Sequence, residues 1–293
     1  MRNDKRIFAL GFFDGVHLGH QALLKACVDL AAELDVKTAA ITFEKHPQSL
    51  FLGSILPLIT TLDDRIQLLR QYGIDHVHPF PVTAEVMGTP WQEFLEKLMA
   101  EGAAGFVCGD DFHFGHKGEG NGEKLQQFCR ERGLPCVIVP EQTLDGRRIS
   151  SSYIRRQLEE GDMATAVRFL GHPYVLRGTV IPGRHLGRTI GVPTANLLLP
   201  EGIVVPKLGV YACKCAIDGK EYLAVTNIGS RPTVNGHQTR AESWILDFEG
   251  DLYGRELTLQ IHKFLRAERK FGSLEELKAR IQQDAMQTQV LLR

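Results

Sequence analysis

GFFDGVHLGH (residues 11–20) sets two histidines, His17 and His20, directly after an apolar run and a glycine-bearing turn. RIFALGF (6–12) has the composition of a buried strand, and the stretch from about Leu18 to Leu34 has helical spacing. The pair therefore falls at a strand end, on the first turn of a helix. Such histidines can ligate a metal, bind an anion, or play a purely structural part. A catalytic zinc site wants a third ligand and usually a carboxylate base. Asp14 is at hand, but the HExxH pattern is absent, and a second HxxH pair, His113 and His116, weakens the signal. A helix N-terminus offers unsatisfied N–H groups and the positive end of the helix dipole, which suits phosphate. The chain has neither GxxxxGKS/T nor a GxGxxG after a strand, so a nucleotide here is not held by those loops. Spacing alone leaves the three readings open.

Outward from this stretch, strands and helices alternate. VKTAAITF (36–43), HVHPF (76–80), AGFVCG (104–109) and CVIVP (136–140) read as strands. TTLDDRIQLLRQYG (60–73) is helical and stops on glycine, and a further helix is expected around 121–132. TPWQEFLEKLMAEG (89–102) is expected as a helix with Thr89 as N-cap, Pro90 at the first position and Gln92 completing a capping box. This alternation predicts an α/β domain with a doubly wound, Rossmann-like parallel sheet, whose ligands bind at the carboxyl ends of the strands. GFFDGVHLGH lies at such an end. Past about residue 172 the pattern changes to short strands broken by Gly, Asp and Pro, as expected of a small antiparallel barrel or sandwich. SLEELKARIQQDAMQTQVLL (273–292) opens with the capping box Ser273-x-x-Glu276 and reads as a terminal helix. The expected domains are 1–171 and 172–293.

A length of 293 residues fits two such domains, each with its own core. The net charge of −1 provides no basic field for nucleic acid. No apolar run is long enough to span a membrane, and the N-terminal run is too short for a signal peptide. The six cysteines form no CxxC pair and read as free thiols of a cytoplasmic protein rather than zinc ligands or disulfides. Whether the chain acts as a homo-oligomer is not legible.

Several motifs carry a resemblance. His17-Leu18-Gly19-His20 resembles the HxGH element of the nucleotidyltransferase superfamily, whose members transfer a nucleotidyl group with loss of pyrophosphate. ISSSYIR (149–155) resembles that superfamily's ISSTxIR, with Ser152 where threonine is usual, and FVCGDDFHFG (106–115) resembles its strand-end element. GVPTAN (191–196), NIGSRPT (227–233), AESWILDF (241–248), LYG (252–254) and FLRAERKF (264–271) resemble the riboflavin kinases, with Trp244 where histidine is frequent. From about residue 6 to the end, the chain resembles the bacterial bifunctional riboflavin kinase/FMN adenylyltransferases, the FAD synthetases.

The resemblance implies two ATP-dependent steps, riboflavin to FMN in the C-terminal half and FMN to FAD in the N-terminal half. It implies Glu242 as the group acting on the ribityl 5′-hydroxyl, with Mg²⁺ held by Thr194 and Asn196, whose oxygens are hard ligands. Gly187, Gly191, Pro193 and Arg231 fall in the same half's binding elements. In the N-terminal half it implies that His17, His20, Ser151, Ser152 and Arg155 bind the developing pyrophosphate charge. Gly11, Phe12, Asp14, Gly19 and Asp111 are the accompanying contacts, although an aspartate beside phosphate repels unless a cation intervenes. Two rivals remain: a nucleotidyltransferase for another phosphorylated small molecule, with an inert barrel, and a flavin-binding regulatory protein without turnover.

Overall fold

The computed structural model describes residues 5–52, 55–183, 187, 191–233 and 236–292, the side chains of residues 51, 52, 231–233 and 236–238 aside. It forms two compact units, Met1–Tyr153 and Ile154–Arg293.

In the first unit, β1 (Arg6–Leu10), a short 3-10 turn (Asp14–Val16) and α1 (Leu18–Glu33) are followed by β2 (Lys37–Phe43), the single turn α2 (Ser49–Leu52) and α3 (Leu62–Gln71). Then come β3 (His76–Phe80), α4 (Ala84–Met87), α5 (Trp91–Ala100), β4 (Ala103–Gly109), α6 (Gly122–Arg132) and β5 (Cys136–Val139). The strands form one parallel sheet in the order β3-β2-β1-β4-β5. Alternation along β1 explains why it is central. Phe8 and Leu10 enter one core with Phe94, Leu98, Leu125 and Phe128, and Ile7 and Ala9 enter the other with Leu24, Cys27 and Leu69. Both faces are thus covered by helices, so the strand is apolar throughout, as parallel strands must be. Each fully buried Phe or Leu stabilises this arrangement by about 2 kcal/mol.

Thr61, not a residue of the helix, caps α3 by accepting the Asp64 N–H, and Gly73 (φ 88°) terminates it. At α5 the expected cap is corrected. Pro90 occupies the N-cap position, without a side-chain bond, and the Thr89 hydroxyl donates back to the Glu85 carbonyl of α4. The preceding short helix competes for that hydroxyl.

A small hairpin, β6 (Thr143–Leu144) and β7 (Arg147–Arg148), leads into α7 (Ser151–Glu160), which runs across the division between the units. The second unit continues with α8 (Met163–Leu170), β8 (Tyr174–Ile181), β9 (Ala195–Leu198), β10 (Gly209–Ile217), β11 (Lys220–Thr233), β12 (Gly236–Ile245), β13 (Glu256–Arg266) and α9 (Leu274–Leu292). The six strands close an antiparallel barrel, β10-β11-β12-β9-β8-β13, with β13 returning to β10. Of the barrel and sandwich expected, the barrel is found, and closure removes exposed strand edges. Five of the six cysteines are buried, Cys136 is half-buried, and all are free thiols.

Ser273 accepts the Glu276 N–H at the start of α9, as the capping box requires. The helix packs on β10 and β11 and is anchored by a buried carboxylate. Asp284, fully buried, takes Arg266 through Nε and Nη2 (3.0 and 2.8 Å to Oδ2) and Arg280 through Nε (3.1 Å). Removing a carboxylate from such a group strands two cations. Asp284→Asn is expected to destabilise the barrel unit by about 3 kcal/mol in urea unfolding, whereas Asp29→Asn, which breaks the exposed Lys25–Asp29 pair, changes it by less than about 1 kcal/mol.

Candidate functional site

The two units each hold a cavity, and each is lined by residues of one motif set. In the first unit a cavity of about 320 Å³ opens at the carboxyl ends of β1, β4 and β5. Gly11, Phe12, His17, Gly19, His20, Asp111, Arg148, Ser150 and Ser151 are among its lining residues.

The loop from β1 to α1 makes this wall. Phe13 (φ 59°), Gly15 (φ 79°) and Val16 (φ 38°) all sit at left-handed backbone angles. For a β-branched residue this is strained, at a cost of about 1–3 kcal/mol. The loop ends in His17, which is itself the N-cap of α1: the His20 backbone N–H donates to its Nδ1 (3.3 Å). Nδ1 being an acceptor, the proton sits on Nε2, which makes that nitrogen a donor. The two imidazoles stack, with centroids 3.6 Å apart and planes 12° from parallel, and Phe13 meets His20 edge-on. Burial, His17 and Arg65 hold the His20 pKa well below its ordinary value. Gly19 leaves room for this stack: a Cβ there would stand 3.3 Å from the His17 ring. At Gly11 a Cβ would press on the Phe13 ring at 2.8 Å.

Asp14 does not face the cavity. Its buried carboxylate accepts the backbone N–H groups of Ile59 (2.8 Å) and Thr60 (3.2 Å), so it fixes the loop rather than meeting a ligand. Ser150 caps α7 by accepting the Tyr153 N–H (3.3 Å). Ser151 donates its hydroxyl to the Asp14 carbonyl (2.9 Å), tying the start of α7 to the β1–α1 loop. Ser152 is exposed and absent from the lining, and Arg155, half-buried, lies one turn on in the second unit. Asp111 at the cavity mouth is neutralised by Arg148, which pairs with it and, through Nε, with Glu141 (3.0 Å). Shared between two carboxylates, Arg148 offsets only part of the repulsion that they pose to phosphate. It escaped the sequence reading, although RRI directly before the serine run is a visible signal.

In the second unit a cavity of about 260 Å³ lies between the barrel and α9. Val210, Val225 and Trp244 of the barrel face Phe271, Leu277 and Ile281 across it, and Gly187, Thr194, Asn227, Glu242 and Glu268 add polar groups. Asn227 donates its side-chain N–H to Glu268 (2.9 Å). Thr194 also lines a smaller recess of about 70 Å³, with Pro193, Ser243, Phe248 and Tyr253. Asn196 sits directly opposite Glu242 in the antiparallel register of β9 and β12, which brings an amide beside a carboxylate. Gly183 is packed against the Asn196 side chain, where a Cβ would clash, and a Cβ at Gly187 would clash with the Val192 carbonyl. Gly191 has φ 74° and is exposed. Arg231 stands in β11, but its side chain lies outside the described residues.

Two families match the chain: FAD synthetase over residues 1–153 and riboflavin kinase over 170–292. A bifunctional riboflavin kinase/FMN adenylyltransferase of Listeria monocytogenes is 38% identical over 288 residues, covering 97% of this chain and 91% of the relative. One of Escherichia coli is 36% identical over 284 residues, with 96% and 90% covered. A crystal structure of a Streptococcus pneumoniae protein described as a macrolide-efflux protein matches with a TM-score of 0.89 at 28% identity, covering 99% of this chain and 97% of that one. Among the described residues here, no helix is long and apolar enough to cross a membrane. With a cavity for each motif set and relatives alike along almost their whole length, the chain belongs to the family of bifunctional riboflavin kinase/FMN adenylyltransferases.

Proposed function

We propose that the two cavities carry out consecutive ATP-dependent steps of flavin synthesis in the cytoplasm, riboflavin kinase in residues 172–293 and FMN adenylyltransferase in residues 1–171. The observation that carries this is the two-cavity arrangement, with Glu242 in one and the His17/His20 pair in the other.

In the kinase cavity, the apolar walls around Trp244, Phe271, Leu277 and Ile281 suit a flat tricyclic ring. Glu242 orients the ribityl 5′-hydroxyl and takes its proton as the oxygen attacks the γ-phosphorus of ATP, the bond to the β,γ-bridging oxygen breaks and ADP leaves. Thr194 belongs to both the apolar cavity and the recess with Phe248 and Tyr253, so it stands where flavin and nucleotide meet. Thr194 and Asn196, with Glu242 opposite, form an oxygen-rich set that fits Mg²⁺. Bound there, the ion neutralises charge on phosphate oxygens. Gly187, Gly191 and Pro193 shape the loop around this meeting point, and Arg231 on β11 is a further substrate contact in this reading.

In the adenylyltransferase cavity, the FMN phosphate attacks the α-phosphorus of a second ATP and pyrophosphate leaves. A phosphate monoester with a second pKa of about 6 is already a nucleophile at neutral pH, so no general base is required. His17 donates from Nε2, and the free N–H groups at the start of α1 face the same charge. His20, held neutral, acts as a hydrogen-bond donor rather than a resident cation. Ser151 positions the loop, whereas Ser152 and Arg155, which do not line this cavity, are left without a role in it.

His17→Ala is expected to abolish FAD formation from FMN while FMN formation from riboflavin persists, and Glu242→Gln to do the reverse, as read by separate assays of the two half-reactions. One substitution that stops both steps in a folded protein would contradict the two-site assignment. In an NMR titration, His20 is expected to be neutral at pH 6.5, where a free imidazole is half protonated, and to take its proton only at lower pH.

A further inference from the structure

Arg65 is a fully buried arginine that neither half-reaction uses as a contact. It projects from α3 beneath the β1–α1 loop. Nη1 donates to the Thr42 hydroxyl (2.9 Å), the Phe43 carbonyl (2.7 Å) and, at the limit of bonding distance, the Phe12 carbonyl (3.5 Å). Nη2 donates to the Thr60 carbonyl (3.4 Å) and Nε to the Thr60 hydroxyl (3.5 Å). The guanidinium carbon also stands 4.6 Å from the centre of the Phe12 ring.

Two of these partners, Thr42 and Thr60, return to the same loop. The Thr42 hydroxyl donates to the Phe12 carbonyl (2.7 Å). The Thr60 hydroxyl accepts the Gly15 N–H (3.1 Å) and donates to Asp14 (3.4 Å). Arg65 thereby grips the loop at Phe12 directly, and at Asp14 and Gly15 through Thr60. These residues flank Phe13 and Val16, which carry the strained backbone, on the way to His17 at the N-cap of α1. A buried cation is costly unless its donors are met and a counter-charge is near, and Asp14 provides that charge.

We infer that Arg65 is a positioning residue for FMN adenylylation: its planar fork holds the Phe12–Val16 loop so that His17 and His20 stand as a stacked pair facing the cavity. The inference rests on the reading of that cavity as the adenylyltransferase site. A lysine keeps the charge but cannot reach this many acceptors from one plane. Loss of placement without loss of the binding surface lowers turnover more than affinity.

The test uses the full-length protein with FMN, ATP and Mg²⁺, following pyrophosphate release, in Arg65→Gln, Arg65→Lys and His17→Ala. Arg65→Gln is expected to lower kcat about 100-fold with KM for FMN and ATP within about threefold of wild type, and Arg65→Lys to recover about tenfold of that loss. Riboflavin phosphorylation by the same preparations should stay within about twofold of wild type. Should Arg65→Gln fail to fold, Arg65→Lys decides alone, with a drop in kcat of about tenfold at unchanged KM expected. A folded variant with wild-type kcat, or one in which KM rises while kcat holds, overturns the inference. If His17→Ala keeps wild-type FAD synthesis, the cavity has been misread, which is a separate failure from that of Arg65.

Discussion

The carboxylate of Asp14 is the small anchor on which the first site depends. It bonds the backbone of Ile59 and Thr60 from inside a turn in which Phe13 and Val16 adopt left-handed angles. Without such an anchor the turn would relax toward an unstrained loop, because each strained residue costs free energy that only tertiary contacts offset. Held in place, the turn ends in His17, and His17 starts α1. The cap, the stacked imidazoles and the open helix N-terminus then follow from one another. The site is thus a consequence of a buried polar network below it rather than of the histidines alone.

The second site is set by register. Closure of the barrel fixes how β9 lies against β12, and that places Asn196 across from Glu242. A slip of β9 by one residue would turn Asn196 to the other face, away from Glu242. One apolar wall of the cavity comes from α9 and the segment before it, facing Val210, Val225 and Trp244 of the barrel, and Asp284 with its two arginines holds that helix down. One chain therefore builds its two phosphate-handling sites by different means, a strained turn in one unit and a closed strand register in the other.

Much of this was legible in the sequence. Alternating apolar runs marked all five parallel strands, since both faces of that sheet are buried and the strands are correspondingly apolar. Motif spacing brought His17, Gly19, His20, Asp111 and Ser151 to one cavity and Thr194 and Glu242 to another. What stayed hidden depended on contacts distant in sequence. Asp14 reads as a cavity carboxylate until its partners 45 residues on are seen. Arg65 carries no sequence signal that sets it apart from the other charges of its helix, and only the fold shows it buried. Ser151 looks like an anion donor, but its hydroxyl proton is engaged by the Asp14 carbonyl. At Thr89 alone the miss is local: Pro90 takes the N-cap position and the hydroxyl turns back to the Glu85 carbonyl four residues earlier.

The central claim is that one chain makes FMN and then FAD. The most direct measurement is a time course of the purified protein with riboflavin, ATP and Mg²⁺, with flavins separated by chromatography. The account predicts that FMN appears first and FAD follows at its expense. Riboflavin left unchanged, or FMN that accumulates and is never converted, would contradict it.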